Sequence, residues 1–119
     1  MGTFSVRVTV RSFREPDRSH TLSLLVDTGA TYTTLPRDVI DALRCRPIGT
    51  RRVLLADGRE EEWPIAALFL TLEGQELPTL CLLGPDGGPA LLGAVTLEEF
   101  ALGVDPVAKR LTPVRSYLV

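Results

Sequence analysis

The sequence predicts a mainly β domain, a small sheet closed or partly closed on itself, carrying one or two short helices. Three observations point there. Apolar and polar residues alternate over much of the chain, glycine and proline turn signals separate the alternating runs, and only two short stretches show helical spacing. With 119 residues the chain is expected to form one domain over residues 1–119, long enough for a single core. Hydrophobic residues make up 45% and charged residues 24%, a balance that favours a folded chain over a disordered one.

Taken in order, Phe4, Val6, Val8 and Val10 alternate with Ser5, Arg7, Thr9 and Arg11, which is a strand with one face turned to a core. The stretch REPDRSH, residues 14–20, breaks it at Pro16-Asp17, and residues 21–27 return as a second strand; His20 is read as a surface residue of the turn. Pro36 opens a short helix in which Val39, Ile40 and Leu43 share a face, with Pro47 and Gly49 beyond its end. Residues 50–63 form a hairpin tipped by Asp57-Gly58, a dipeptide suited to the positive φ angles of a two-residue turn. Arg51, Arg52, Arg59 and the run Glu60, Glu61, Glu62 place that hairpin in solvent. Strands follow at 65–72 and 76–83, joined at Glu73-Gly74, and then a loop at 84–89. Thr96-Leu97-Glu98-Glu99 has capping-box spacing and is expected to start a helix that stops at Gly103. Residues 104–106 and 111–119 are read as extended.

Several functional classes are disfavoured. The 13 basic and 15 acidic residues are mixed along the chain, so no basic face advertises nucleic acid or an anionic membrane. The longest apolar stretches fall well short of the roughly 20 residues of a membrane helix, and MGTFSVRVTV alternates, so no signal peptide is expected. Cys45 and Cys81 lack metal-ligand spacing, and there is 1 histidine, so no metal site is expected. Both cysteines are read as buried thiols of a cytoplasmic protein.

The chemistry lies in LSLLVDTGATYTT, residues 22–34, where an apolar run delivers Asp27 to a glycine turn. A carboxylate buried alone is costly, so Asp27 must be hydrogen-bonded, paired or protonated. Thr28 offers a hydroxyl, and Gly29 permits backbone angles closed to other residues and a close approach by another group. Two such carboxylates brought together share one proton, so one accepts while the other donates, and a water between them can be activated against a carbonyl carbon. Asp-Thr-Gly is also ordinary turn chemistry, which leaves a plain turn or cap aspartate as the other reading.

LLVDTGA resembles the active-site motif of the retropepsin-like aspartic proteases, the single-domain relatives of pepsin. Ala90-Leu91-Leu92-Gly93 resembles the family's second signature, and the hairpin with Ala56-Asp57-Gly58 falls where the family has its substrate-covering flap. Ala56-Asp57-Gly58 and the ending at residues 102–106 resemble the bacterial and archaeal cellular branch more than the retroviral one. The resemblance implies a retropepsin-type β-barrel, one lobe of the acid protease fold. It further implies Asp27 as the catalytic residue, support from Thr28, Gly29 and Ala30, packing beneath the loop by Leu91, Leu92 and Gly93, and a flap tip at Ala56, Asp57 and Gly58. A peptide or protein would be the substrate and no cofactor is implied. Since the chain carries one such motif, a homodimer with one Asp27 from each subunit is implied, with Thr28 bonding across to the partner loop.

Some positions depart from the retroviral pattern. Thr31 and Ala94 stand where an acidic residue and an arginine commonly tie the loop to the helix. Ala30 lacks the hydroxyl that pepsin-like enzymes use beside the ionised carboxylate, so activity is expected nearer neutral pH than pepsin's. No tyrosine lies in the hairpin; Trp63 is the nearest large aromatic, read as core packing or as a substrate contact. Tyr32, Thr33 and Thr34 are read as strand positions, with lining of the cleft as the other reading, and Leu54 and Leu55 are read as apolar pocket walls, one of them expected in the core. The glutamate run is read as a solvated face, or else as selecting basic substrates. Three functional readings follow: a peptidase, a catalytically silent dimerisation or peptide-binding module on the same fold, and an unrelated ligand-binding β-barrel.

Overall fold

The computed structural model describes residues 3–116 and 118. Among these, nine strands and two helices occur in the order β1 (Ser5–Arg11), β2 (Ser19–Val26), β3 (Thr33–Leu35), α1 (Arg37–Leu43), β4 (Gly49–Leu54), β5 (Glu60–Leu72), β6 (Gln75–Leu83), β7 (Leu91–Leu92), α2 (Ala94–Glu99), β8 (Leu102–Asp105) and β9 (Arg110–Pro113). The fold is mainly β, as the alternation predicts. Seven strands form one sheet in the order β1-β2-β7-β3-β6-β5-β4, and β1 pairs a second time, with β5, so that the sheet is partly ring-closed. β8 and β9 make a separate two-stranded sheet.

Alternation puts Val8 and Val10 of β1, Leu24 and Val26 of β2, and Leu68, Leu70 and Leu72 of β5 inside the ring, where they meet Leu43 of α1 and Phe100. Fully burying such a side chain contributes roughly 1.5–3 kcal/mol before entropy is counted. A second, smaller cluster of Trp63, Ile65 and Leu82 underlies the β4–β5 hairpin, joined by the half-buried Tyr32, Val53, Leu55 and Leu80.

Local details differ from the sequence expectations for physical reasons. The strand expected at 65–72 is continuous with the hairpin arm, because β5 runs through Pro64 opposite Thr50. Its pairing with β6 ends at Ile65, so Pro64 has β4 alone beside it, where a missing N–H is tolerated. The two-residue hairpin turn is at Glu73-Gly74, whose φ angles are 50° and 78°, between the paired Leu72 and Gln75. At the other tip the loop has three residues, Ala56-Asp57-Gly58. The Leu55 carbonyl accepts from Gly58 N–H at 2.9 Å, Leu55 N–H donates to the Arg59 carbonyl at 2.8 Å, and within that loop Gly58 alone has positive φ. Asp57 stays out of the left-handed region and accepts from Arg59 N–H and Arg59 Nε at 3.0 and 2.6 Å.

Pro36 precedes α1 as its N-cap residue rather than sitting in its first turn, and Val39, Ile40 and Leu43 form the buried face as expected. The helix ends at Arg44 in the left-handed region, before Pro47. His20 is a half-buried residue of β2 paired with Val10, not a turn residue. The extended segment expected over 111–119 is a strand only as far as Pro113; Tyr117 and Val119 lie outside the described residues.

Both cysteines are free thiols, Cys81 buried and Cys45 half-buried. Burial, reinforced by the charge of Asp41, pushes the Cys45 thiol up to about 11, and burial pushes Cys81 up as well. In the unfolded chain these thiols ionise near pH 8.5, so above that pH the folded state holds more protons than the unfolded one. Stability should therefore be level in this respect below about pH 8.5 and fall as pH rises beyond it. Urea unfolding from pH 7 to 10.5 is expected to show that fall, with a shallower slope for Cys45→Ala; equal slopes would contradict the assignment.

Candidate active site

β2 ends at the buried Val26, and the next residue, Asp27, is half-buried at the head of a tight loop. The backbone around it is anchored on both sides. Val26 N–H donates to the Phe4 carbonyl at 2.9 Å, Asp27 N–H to the Leu92 carbonyl at 3.0 Å, and Ala30 N–H to the Asp27 carbonyl at 3.1 Å. Gly29 N–H donates to Asp27 Oδ1 at 2.9 Å, while Oδ2 has no partner among the described residues. Gly29 takes no positive φ, contrary to the sequence expectation. Its bare Cα matters for space: a Cβ there would lie 3.2 Å from Asp27 Oδ1. Thr28 is exposed and makes no side-chain hydrogen bond among the described residues.

Beneath the loop lies the second signature. β7 pairs in parallel with β2, Leu25 opposite Leu91 and Val26 opposite Leu92, and Leu92 is fully buried. Gly93 follows and presses on the far side of the loop. A Cβ at residue 93 would sit 2.4 Å from the Tyr32 carbonyl carbon and 2.6 Å from its oxygen, so only glycine fits.

Helix α2 starts at Ala94 with Gly93 as its N-cap, three residues earlier than the capping-box spacing predicts, and ends at Glu99, short of Gly103. The first N–H groups of a helix need acceptors, and here the loop supplies them: Ala94 N–H donates to the Ala30 carbonyl at 2.8 Å and Val95 N–H to the Thr31 carbonyl at 2.9 Å. Backbone bonds thus tie loop to helix at the very positions, Thr31 and Ala94, where a charged pair is absent from the sequence. Thr96, released from capping, is fully buried within the helix.

Its hydroxyl belongs to a chain whose direction can be derived. Glu99 Oε1 accepts from Thr79 Oγ1 at 2.6 Å, which uses the single proton of Thr79. Thr79 must then accept from Thr96 at 2.9 Å, and Thr96 from Thr33 at 2.7 Å. Thr33 in turn accepts from Gly93 N–H at 3.1 Å. Every hydroxyl proton is committed, and β3, β6, α2 and Gly93 are joined in one direction.

A cleft of about 710 Å³ opens above the loop. Asp27, Gly29 and Ala30 form its floor; Tyr32, Thr34, Trp63 and Leu82 form one side, and the hairpin from Arg51 to Ala56 forms another. Of the expected tip residues Ala56 lines the cleft, whereas Asp57 and Gly58 do not. Thr33 points away, into the hydroxyl chain. Trp63 packs in the small core, 9% exposed, and also lines the cleft, and its indole N–H donates to Glu61 Oε1 at 2.9 Å. Leu55 is half-buried and Leu54, 71% exposed, projects at the cleft. Glu60, Glu61 and Glu62 lie outside the lining, while Arg51 and Arg52 are part of it. The threonine chain and the arginines are the features that sequence reasoning missed. In the sequence Thr33 reads as a strand position, Thr96 as a helix cap and Thr79 as a hydroxyl in an apolar run, and nothing local joins the three.

Residues 6–96 match the family model described as aspartyl protease. The chain belongs to the aspartyl protease family. The chain's fold is also similar to that of solved structures: EIAV protease complexed with the inhibitor HBY-793 is 19% identical, with 83% of this chain and 88% of that chain covered and a TM-score of 0.65. Simian Foamy Virus (mac) protease, in a solution structure, is 20% identical, with 82% and 94% covered and a TM-score of 0.57. At such identities the likeness is one of fold. No curated protein matches the chain. The aspartyl protease segment contains Asp27, the hairpin and Leu91 to Gly93, and leaves β8 and β9 outside it.

Gly93→Ala is expected to cost about 3 kcal/mol, because backbone on both sides must move to admit one methyl group. Urea unfolding measures it, and a variant as stable as the parent would contradict the contact. Thr96→Val should cost roughly 1–3 kcal/mol by stranding the buried Thr33 hydroxyl. Combined with Thr33→Val it should cost clearly less than the sum of the two single changes, and strict additivity would count against a directed chain.

Proposed function

We propose that this chain is an aspartic peptidase of the retropepsin type, which hydrolyses peptide bonds with water activated by two Asp27 carboxylates, one from each subunit of a two-fold homodimer. The observation that carries the proposal is the cleft floor: Asp27 is the one acidic residue lining the cleft among those described, with one oxygen held by Gly29 N–H and the other open. This is the arrangement expected of half a dyad, and membership of the aspartyl protease family supports it.

Chemically, two Asp27 groups on the axis share one proton, since two like charges in contact resist ionising together. The ionised partner takes a proton from the water as its oxygen attacks the scissile carbonyl carbon, and the protonated partner donates to the carbonyl oxygen. Collapse of the tetrahedral species, with proton transfer to the amide nitrogen, releases the two products. Thr28, exposed beside Asp27, is free to bond to the partner loop. The substrate is an extended peptide lying beneath the hairpin, whose tip at Ala56, Asp57 and Gly58 acts as a flap, and main-chain hydrogen bonds hold it as an added strand. We further propose membership of the cellular branch and a cytoplasmic setting, which the two free thiols support.

Sedimentation of the parent and of Asp27→Asn, with cleavage of a peptide library by each, tests this reading. Both proteins are expected to be dimers, with cleavage reduced at least about a thousandfold in the variant. A monomeric parent, or cleavage that survives the substitution, would overturn it; a dimer that binds peptides with no turnover would point to the silent module instead. Because Ala30 offers no hydroxyl to the carboxylate, the pH profile of cleavage should peak above about pH 4, and a peak below about pH 3 would contradict that assignment.

A further inference from the structure

The ionisable side chains of the cleft are unevenly matched. On the hairpin, Arg52 lies 3.9 Å from Glu60, and Arg59 lies 2.6 Å from Asp57 and 3.6 Å from Glu61. Arg51 alone of the hairpin arginines has no carboxylate within 4 Å among the described residues. It is held in place all the same. Arg51 is paired with Trp63 across the β4–β5 ladder, so the two share a face of the hairpin. Its guanidinium carbon lies 5.9 Å from the centroid of the Tyr32 ring, its Nε donates to Tyr32 Oη at 3.4 Å, and its Nη1 donates to the Thr50 carbonyl at 3.1 Å. Nη2 is left without a partner among the described residues.

We propose that the cleft selects peptides carrying an acidic side chain, which Arg51 binds beside Tyr32. The inference rests on the reading of the cleft as a peptide site and adds the substrate class. A guanidinium steered by an aromatic ring and a backbone carbonyl, with a donor to spare, is pre-organised for a carboxylate. The neighbouring surface of Val53, Leu55 and Trp63 is apolar and lowers the local dielectric once a peptide covers it, which strengthens that bond. Asp27 is committed to the reacting carbonyl and Arg52 lies beside Glu60, so the charge left to face substrate side chains is that of Arg51. A lysine or arginine of the substrate would be repelled at the same place, so the arrangement both attracts one class and rejects another. In a two-fold dimer Arg51 occurs once on each side of the scissile bond, and acidic positions are favoured on both sides.

The test uses peptides identical except for Glu, Gln or Lys at single positions flanking the cleaved bond, read in two ways. One is kcat/KM with the parent protein, and the other is binding by fluorescence anisotropy to Asp27→Asn. Glu is expected to be favoured over Gln by about three- to tenfold at its best position, with Lys poorer than Gln and the preference shrinking as salt is raised. Arg51→Gln should erase the preference and Arg51→Glu should invert it toward Lys, at unchanged Tm, since residue 51 is exposed on an edge strand. Cleavage or binding indifferent to Glu against Gln, a preference that persists in Arg51→Gln, or no peptide bound or cleaved at all overturns the proposal. Binding that prefers Glu and inverts in Arg51→Glu, without any turnover by the parent, sinks the peptidase reading and leaves charge selection standing.

Discussion

The contact of Gly93 with the backbone of Tyr32 and Thr33 is the constraint on which the rest of the structure depends. With no side chain at residue 93, the end of β7 comes within van der Waals range of the active-site loop. That approach lets α2 offer its first N–H groups to the carbonyls of Ala30 and Thr31, and lets Gly93 N–H reach the Thr33 hydroxyl. From Thr33 the bonding continues through Thr96 and Thr79 to Glu99, so the loop is tied to β6 and α2 as well as to its own strand. Each bond is modest in net energy, but buried donors left unpaired are expensive, and the chain leaves none spare.

A loop held this way makes Asp27 a presented group and not a packed one. Its strand neighbours are core, its Oδ1 is occupied by Gly29 N–H, and the residue lines the cleft with its other oxygen unbonded among the described residues. Catalysis by positioned carboxylates depends on such pre-organisation, because geometry fixed during folding need not be found again during reaction. The hairpin wall is built differently. It stands on the small Trp63 cluster, and its exposed arms carry charges that pair with one another except at Arg51. In the proposed reading the floor supplies chemistry and the hairpin supplies discrimination, and the two rest on separate clusters of buried residues.

Much of this was legible in the sequence, and the remainder was hidden for specific reasons. Period-two alternation marks β1, β2, β5 and β6 because a half-buried strand must alternate, and LLVDTGA with Ala90-Leu91-Leu92-Gly93 marks the loop and its support. β7 has two residues, too few for any period to show. The start of α2 was misplaced because its cap is a carbonyl pair more than sixty residues away in the sequence, and no local spacing reports that. Threonine in an apolar run reads as an ordinary strand former, so the hydroxyl chain shows only after β3, β6 and α2 are brought together. The three-residue tip at Ala56-Asp57-Gly58 and the two-residue turn at Glu73-Gly74 carry similar signals; what separates them is the register of the flanking strands. Arg51 looks like its neighbours until pairing shows which arginines already have acids.

The decisive measurement is activity in mixtures of the parent with Asp27→Asn at fixed parent concentration, allowed to exchange subunits fully. A site completed by two Asp27 groups requires that activity fall as the variant is added, to about one tenth at a ninefold excess, because most parent subunits are then paired with a chain lacking the carboxylate. Activity that stays constant across the series would show that each chain acts alone and would contradict the two-subunit site.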